Sequence, residues 1–239
     1  MPDRPHALVI GASSGIGEAL SHSLLTDHRV SVVARRAERL ATLVHAGASA
    51  FPGDVSDLDS IAPLIAAAVA CNGPVDALIY CAGAQLVKPL RSTTAADLQR
   101  MFTVNLVAPA VIAAQFANRR VSSDKATFCV VASVAGQRPE PGIVAYGAAK
   151  AGLINMVGGM ARELGPRRVV GVSPGWIDTE MTQAYRHLYN DAFREQLAKN
   201  SPAGPASIDA VVDTIRFLLS PAARAITGEV IRVDGGAAI

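Results

Sequence analysis

Hydrophobic and polar residues follow two alternating periodicities along this chain of 239 residues. Short β-branched runs, such as HALVIG from His6 and RVSVVAR from Arg29, are typical of buried strands. Between them, segments such as GIGEALSHSLLTD from Gly15 place apolar residues at helical spacing. Strands that alternate with helices of this length predict βαβ units and a parallel sheet.

The alternation continues to the end of the chain. Five further strands are predicted on the same grounds: a brief one at Ala50–Phe51, and runs beginning at Val75, Ala126, Arg168 and Gly228. The predicted helices include one capped by Ser56, a long one from Thr94 with a possible kink at Pro109, and two at Val144–Leu164 and Ile208–Leu219. We therefore expect an α/β fold with one Rossmann-type, doubly wound parallel sheet of about seven strands.

The chain contains no Pro/Ser-rich tract, low-complexity run or internal repeat that would mark a domain boundary. Half of its residues are hydrophobic, which is enough for a single sizeable core. We expect one domain over residues 1–239. Residues 178–205 are more polar and turn-rich than the rest, so this segment is a candidate lid over a substrate site.

Composition and charge exclude several functional classes. A formal net charge of +2 with both signs dispersed, and 5% aromatic residues, favours neither nucleic acid nor an anionic membrane as a partner. The longest apolar stretch, IAPLIAAAVA, is shorter than the roughly 20 residues of a membrane span. Cys71, Cys81 and Cys129 lie in apolar runs, and no histidine has metal-ligand spacing. We expect a cytoplasmic protein with buried thiols and no metal.

A glycine-rich loop, GASSGIG, connects the first predicted strand to the first predicted helix. Glycine at these positions permits a tight turn and close approach of a pyrophosphate, while the helix N-terminus offers N–H groups to the anion. An incidental tight turn is the alternative. The predicted dinucleotide contacts in this loop are Gly11, Ser13, Ser14, Gly15, Ile16 and Gly17.

The end of the second strand indicates which dinucleotide binds. A carboxylate there would accept a hydrogen bond from the ribose 2′-hydroxyl, whereas basic residues would hold a 2′-phosphate. The sequence reads Ala34, Arg35, Arg36, which favours NADP(H) over NAD(H), with Arg35 the better candidate and serine hydroxyls of the loop assisting. The alternative is that the two arginines are exposed to solvent and pair with the carboxylate of Glu38.

A tyrosine and a lysine one helical turn apart, Tyr146 and Lys150, occupy the small-residue stretch VAYGAAKAG. Hydride transfer to a ketone leaves negative charge on its oxygen, so a proton donor is needed close by. An adjacent ammonium favours the phenolate and is also able to hold ribose hydroxyls. The small neighbours would leave room for a nicotinamide ring or for helix packing. Alone, the pair would more often be a surface contact.

These motifs, taken in order, resemble the short-chain dehydrogenase/reductase (SDR) family over essentially the whole chain, and its 3-oxoacyl-ACP reductases in particular. IGASSGIG resembles the family's TGxxxGIG with Ile10 in place of threonine, and YCAG resembles NNAG with Cys81 in place of asparagine. Ser133 precedes Tyr146 by the separation that the family shows. Ser133 alone would be a strand-end cap, and Asn105 alone would be a partner for a helix kink.

The resemblance implies a role for each matching position. Tyr146 is the acid/base, Lys150 tunes it, Ser133 polarises the carbonyl, and Asn105 supports a proton relay through water. The further cofactor contacts that it implies are Asp54 and Val55 at adenine, Cys81, Ala82 and Gly83 at ribose, and Pro174, Gly175, Ile177 and Thr179 at the nicotinamide amide.

We therefore expect an NADPH-dependent reductase of ketones or 3-ketoacyl groups. A secondary-alcohol dehydrogenase and a non-catalytic NADP-binding sensor or scaffold are the alternatives. The segments expected to face substrate are Val134–Gln137, Gln85–Val87 and the lid from Glu180, with Met181, Tyr185 and Leu188. Arg186 and Arg194 are candidates for meeting an acyl carrier protein, although solvated helix charges are the preferred interpretation. The family implies a homotetramer or dimer.

Overall fold

The computed structural model of the chain describes residues 4–185 and 190–237. Its seven strands form one parallel sheet in the order β3-β2-β1-β4-β5-β6-β7. The strands are β1 (His6–Ile10), β2 (Arg29–Ala34), β3 (Ser49–Pro52), β4 (Val75–Tyr80), β5 (Ser122–Val131), β6 (Arg168–Pro174) and β7 (Val230–Val233). The predicted fold class is confirmed.

Helices cover both faces of the sheet. They are α1 (Gly15–Leu24), α2 (Ala41–His45), α3 (Ile61–Asn72), α4 (Ala95–Phe102), α5 (Ala108–Phe116), α6 (Val144–Glu163), α7 (Glu180–Gln183), α8 (Asp191–Asn200) and α9 (Ile208–Leu219). One apolar cluster joins α1 and α9 to the sheet through residues such as Leu20 and Ile215. A second cluster joins α3, α5 and α6 to the opposite face through Ile65, Phe116 and Leu153. Burial on both faces explains why the strands read as continuous apolar runs.

One predicted helix start is wrong. Helix α3 begins at Ile61, after a single 3₁₀ turn at Leu58–Ser60, and Ser56 does not cap it. The N–H of Ser56 instead donates to Oδ1 of Asp54 at 2.9 Å, which closes an Asx turn before the helix. Serine at a helix cap and serine in an Asx turn have the same local sequence signature, so the pattern did not separate them.

The long helix predicted from Thr94 begins there, with a capping box between Thr94 and Asp97. Its interruption is a π-helical turn at Thr103–Val107, after which α5 continues with Pro109 in its first turn. Proline has no N–H, so the α-helical bond from residue 109 to the carbonyl of Asn105 cannot form. The structure accommodates that loss by widening the turn instead of breaking the helix.

The candidate lid holds the short helix α7 and the helix α8, both within residues 178–205. Two of the residues predicted to face a substrate or a carrier protein, Arg186 and Leu188, lie outside the described residues. The lid function of this segment stays a prediction. No helix in the described part of the chain is long and apolar enough to cross a bilayer.

A buried polar network lies at the amino end of β1, in the middle of the sheet. His6 is fully buried, with Nδ1 2.7 Å from the carbonyl oxygen of Gly73 and Nε2 2.8 Å from Oγ of Ser31. The carbonyl can only accept, so Nδ1 donates to it, and Nε2 accepts from Ser31, whose oxygen accepts in turn from Asn72 at 2.9 Å. This arrangement needs a neutral imidazole, and burial lowers the pKa of His6.

We expect His6 to make stability depend on pH. Below a pH of about 6.5 the imidazole of the unfolded chain takes up a proton that buried His6 resists, so the free energy of unfolding falls, by up to about 1.4 kcal/mol per pH unit. In His6→Gln that contribution disappears. Urea unfolding at pH 7.5 and 5.5 measures how steeply the free energy of unfolding changes with pH in each protein. His22→Gln, at an exposed position on α1, is the matched control, and equal slopes in all three proteins would refute the assignment.

Candidate active site

A cavity of about 1210 Å³ lies at the carboxyl ends of the strands. The strand order reverses direction between β1 and β4, and a crevice forms where the connections from these two strands diverge to opposite faces. The ends of β1, β2, β4, β5 and β6 line the cavity together with α6 and the lid segment. Open α/β sheets bind their ligands at this position.

The glycine-rich loop forms one wall by packing backbone against backbone. Gly11 has a φ of +94°, and a Cβ atom there would lie 2.4 Å from the amide nitrogen of Ala82. A Cβ atom at Gly17 would lie 2.2 Å from the carbonyl oxygen of Gly11. No side chain fits at either position, so the loop stays thin and the N-terminus of α1 opens onto the cavity. The predicted loop residues Gly11, Ser13, Ser14, Gly15, Ile16 and Gly17 all line it.

The arginines after β2 lie at the neighbouring end of the cavity. Arg35 is mostly exposed, with Nη1 4.0 Å from Oδ2 of Asp54. Arg36 makes a two-pronged contact with the carboxylate of Glu180, at 2.9 and 3.1 Å, and Arg39 meets the same carboxylate at 2.6 Å. Hydrogen bonding to Arg36 lowers the pKa of Glu180 to about 2. The carboxylate bound by the arginines is therefore Glu180 and not the Glu38 that the sequence suggested.

The wall beyond the arginines contains the residues predicted to contact adenine and ribose. Asp54 and Val55 follow β3, and Cys81, Ala82 and Gly83 follow β4; all five line the cavity. Burial raises the pKa of the Cys81 thiol to about 12, so this side chain is a neutral group at physiological pH. The thiol therefore adds no charge to the wall. Ala82 and Gly83, with little or no side chain, leave room at its surface.

Lys150 is the buried cation of the site. Its side chain is only 3% exposed, and its ammonium group donates to the carbonyl oxygen of Val131, at the end of β5, over 2.8 Å. Desolvation lowers the pKa of Lys150 to about 8. The ammonium nitrogen lies 5.8 Å from the ring centroid of Tyr146, as the one-turn spacing predicts. Both side chains line the cavity.

Ser133 also lines the cavity, two residues after the last residue of β5. Its Oγ accepts a hydrogen bond from the N–H of Ala135 at 3.2 Å, so its own proton can be donated to another oxygen. The turn that follows packs tightly on α6. A Cβ atom at Gly147 would lie 2.8 Å from the carbonyl oxygen of Ala135, and one at Gly136 would lie 2.7 Å from the nitrogen of Ala151. The small residues around Tyr146 therefore serve this packing.

Asn105 lies behind the cavity wall, in the π turn. Its Nδ2 donates to the carbonyl oxygens of Ala84, at 2.8 Å, and Met101, at 3.0 Å. A Cβ atom at Gly83 would lie 3.3 Å from Oδ1 of Asn105 and 4.0 Å from the ammonium nitrogen of Lys150. The amide is fully buried, and both it and the lysine ammonium lie near Gly83, while the role of Asn105 in a proton relay stays a prediction.

The carboxyl end of β6 brings the last predicted set to the cavity, namely Pro174, Gly175, Ile177 and Thr179. Thr179 reaches across to the glycine-rich loop, since a Cβ atom at Gly15 would lie 3.5 Å from its methyl group. Sequence reasoning did not identify the aromatic pair Trp176 and Phe193, whose ring centroids are 5.5 Å apart at an interplanar angle of 70°. Trp176 directly follows the Pro-Gly motif, which is the signal that would have found it.

The predicted substrate-facing residues that the structure describes divide into those that line the cavity and those that do not, the latter being Leu86, Val87, Gly136, Gln137 and Tyr185. Gln85, Val134, Ala135 and Met181 line the cavity, and the hydroxyl of Tyr185 donates to the carbonyl oxygen of Gln85 at 3.3 Å. Arg194 points elsewhere and pairs with Asp178 at 3.5 Å. That pairing agrees with the interpretation of Arg194 as a solvated helix charge.

The sequence profile of a protein family described as Enoyl-(Acyl carrier protein) reductase matches residues 11–238. Gluconate 5-dehydrogenase of Gluconobacter oxydans is 32% identical to this chain, over 96% of it and 93% of the relative. MabA of Mycobacterium tuberculosis, a 3-oxoacyl-[acyl-carrier-protein] reductase, is also 32% identical, over 96% of this chain and 91% of the relative.

Solved structures of other proteins are also similar to this chain. A variant of actinorhodin polyketide ketoreductase with NADPH matches with a TM-score of 0.92 and 27% identity, over 100% of this chain and 98% of that one. A 4-hydroxyisoleucine dehydrogenase complexed with NADH matches with a TM-score of 0.89 and 30% identity, over 98% of both chains. The chain therefore belongs to the SDR family and is an NAD(P)-dependent oxidoreductase acting on CH–OH or C=O groups.

Proposed function

We propose that this protein is an NADPH-dependent carbonyl reductase that acts on a ketone or 3-ketoacyl group. The observation that carries the proposal is the convergence of a phenol, a buried ammonium and a hydroxyl on one cavity. Tyr146 and Lys150 come from α6, and Ser133 comes from the end of β5. A purely nucleotide-binding protein has no need of this set.

The cavity suits a nicotinamide dinucleotide along its length. The close packing at Gly11 and Gly17 leaves a thin loop beside the N-terminus of α1, which is a cradle that fits a pyrophosphate. Ile177 and Thr179, which follow β6, line the same cavity as Lys150, and we expect the nicotinamide to lie between them and the lysine. When bound, the reduced nicotinamide supplies the hydride for the carbonyl carbon.

Side chains of the protein polarise and protonate the carbonyl oxygen of the substrate. Ser133 donates a hydrogen bond that polarises the carbonyl, and Tyr146 gives its phenolic proton to the oxygen as negative charge develops. The ammonium of Lys150 stabilises the resulting phenolate and holds ribose hydroxyls. Asn105, buried beside the lysine, orders the route by which the proton is replaced from solvent.

The preference for NADP(H) rests on charge. Arg35 and Arg36 follow β2, Arg39 lies one turn later, and β2 itself ends in the apolar residue Ala34. Guanidinium groups bind a phosphate dianion in a two-pronged geometry. The similar structures include complexes of both NADPH and NADH, so the arginines are what favours the phosphate-bearing cofactor.

The substrate end of the cavity favours an apolar molecule of moderate size. Trp176, Phe193 and Leu197 form an apolar wall from β6 to α8. A ketone or 3-ketoacyl group fits this lining, with a carrier-bound acyl chain as one form. The gluconate 5-dehydrogenase relative supports oxidation of a secondary alcohol as the second candidate, using the same groups in reverse. The cytoplasmic location and the tetrameric or dimeric assembly stay predictions.

Tyr146→Phe removes the proton donor and leaves the ring. We expect kcat for ketone reduction to fall by about 10³-fold with the Kd for NADPH nearly unchanged. Stopped-flow absorbance and fluorescence titration measure the two quantities. Tyr185→Phe removes the phenol that donates to the carbonyl oxygen of Gln85, at a residue that does not line the cavity, and should keep kcat within about tenfold. If Tyr146→Phe turned over at the wild-type rate, the acid/base assignment would be wrong.

The cofactor preference is tested by the ratio of kcat/KM for NADPH to that for NADH. We expect a ratio above one, and we expect Arg35→Gln to lower it by about tenfold because one charged hydrogen bond to the phosphate is lost. Arg224→Gln, an exposed arginine away from the cavity, is the control and should not change the ratio. A wild-type ratio below one would overturn the preference.

The lowered pKa of Lys150 predicts that cofactor binding depends on pH. Its ammonium loses a proton as the pH rises through about 8, so the hydrogen bonds to ribose should weaken above that value. We expect the Kd for NADPH to rise by about tenfold between pH 7 and 9.5. The 2′-phosphate, with a pKa near 6, is already ionised over this range.

The control for this pH dependence is Lys150→Met, which has no titrating group at this position. The variant should bind NADPH more weakly at pH 7 and show no further loss at pH 9.5. Fluorescence titration at both pH values measures the four constants. A wild-type Kd that stays constant across the range would contradict the proposed contact.

A further inference from the structure

Glu180 connects two sides of the cofactor cavity that lie far apart in sequence. It is the first residue of α7 and directly follows Thr179, which we expect to contact the nicotinamide. Its two carboxylate oxygens accept from Nη1 and Nη2 of Arg36 at 2.9 and 3.1 Å, and Oε2 also accepts from Arg39 at 2.6 Å. The lid segment is thereby tied to the arginines after β2.

The contact occupies two of the three arginines near the end of β2 that a 2′-phosphate could use, namely Arg36 and Arg39. A guanidinium presents its N–H groups in a rigid fork, and the carboxylate of Glu180 fills the terminal pair of Arg36. A phosphate dianion seeks the same fork, and it would be repelled by a carboxylate held there. Arg36 and Glu180 are 37% and 40% exposed, so water reaches the ion pair and an exchange of partners is accessible.

We propose that Glu180 is a cofactor-specificity residue whose carboxylate competes with the 2′-phosphate of NADP(H) for Arg36 and Arg39. This inference rests on the proposed preference for NADP(H). NAD(H) carries no phosphate at that position and leaves the ion pairs intact. NADP(H) displaces Glu180, so part of its binding free energy is offset by the lost ion pairs. Glu180 thus weakens binding of the phosphate-bearing cofactor alone.

The experiment uses two probes that differ by one phosphate and contain no nicotinamide, namely adenosine 2′,5′-bisphosphate and 5′-AMP. Isothermal titration calorimetry gives the Kd of each for the full-length wild type, Glu180→Gln and Asp178→Asn. We expect Glu180→Gln to bind the bisphosphate about three- to tenfold more tightly, and 5′-AMP within about twofold of wild type.

Asp178→Asn is the matched control. It removes one negative charge two residues earlier in the chain. In the wild type, the carboxylate of Asp178 pairs with Arg194 in α8 at 3.5 Å. This variant should keep the wild-type ratio of the two constants, which separates the local contact from an effect of net charge. Circular dichroism confirms that each variant is folded.

The outcomes separate this inference from the proposed function. If wild type prefers the bisphosphate but Glu180→Gln does not strengthen its binding, competition by Glu180 is refuted and the NADP(H) preference stands. Weaker binding in Glu180→Gln would also refute competition, since Glu180 would then be holding the arginines in place. If wild type binds both probes equally, the NADP(H) preference fails and this inference fails with it.

Discussion

The hydrogen bond from the ammonium of Lys150 to the carbonyl oxygen of Val131 is the constraint on which the site depends. A buried cation is costly unless an acceptor is fixed beside it, and here the acceptor belongs to the last residue of β5. Satisfying the ammonium therefore anchors α6 at the carboxyl edge of the sheet. That anchoring brings Tyr146 to the cavity that Ser133, two residues beyond the acceptor, also lines.

Close backbone packing makes this placement precise. The turn after Ser133 packs on α6 without intervening side chains, because Gly136 and Gly147 leave no atom beyond the backbone. The loop at Gly11 packs in the same way against Ala82, across the point where the strand order reverses. Reactive groups and cofactor cradle are therefore positioned by main chains, which are stiffer than side chains and vary less between conformations.

Much of the fold and of the candidate site could be predicted from local sequence. Buried parallel strands read as continuous β-branched runs, and Tyr146 and Lys150 are neighbours on any helix. Contacts set by tertiary structure could not be predicted. Glu180 meets Arg36 across 144 residues, and no local pattern encodes that pairing. The phenol of Tyr80 donates to the carbonyl oxygen of Val104 in the π turn, at 2.5 Å, and a helical periodicity does not reveal this contact either.

The π turn at Thr103–Val107 constrains the length of this helix as well as its composition. Each residue advances an α-helix by about 100°, and a turn that is already widened cannot absorb another residue, so a one-residue insertion in α4 would rotate everything downstream by that angle. Ile112 and Phe116, both fully buried, would swing off the sheet, while Asn105 would leave its place beside the lysine. The spacing from Thr94 to Asn105 and Phe116 is therefore fixed as a count of residues.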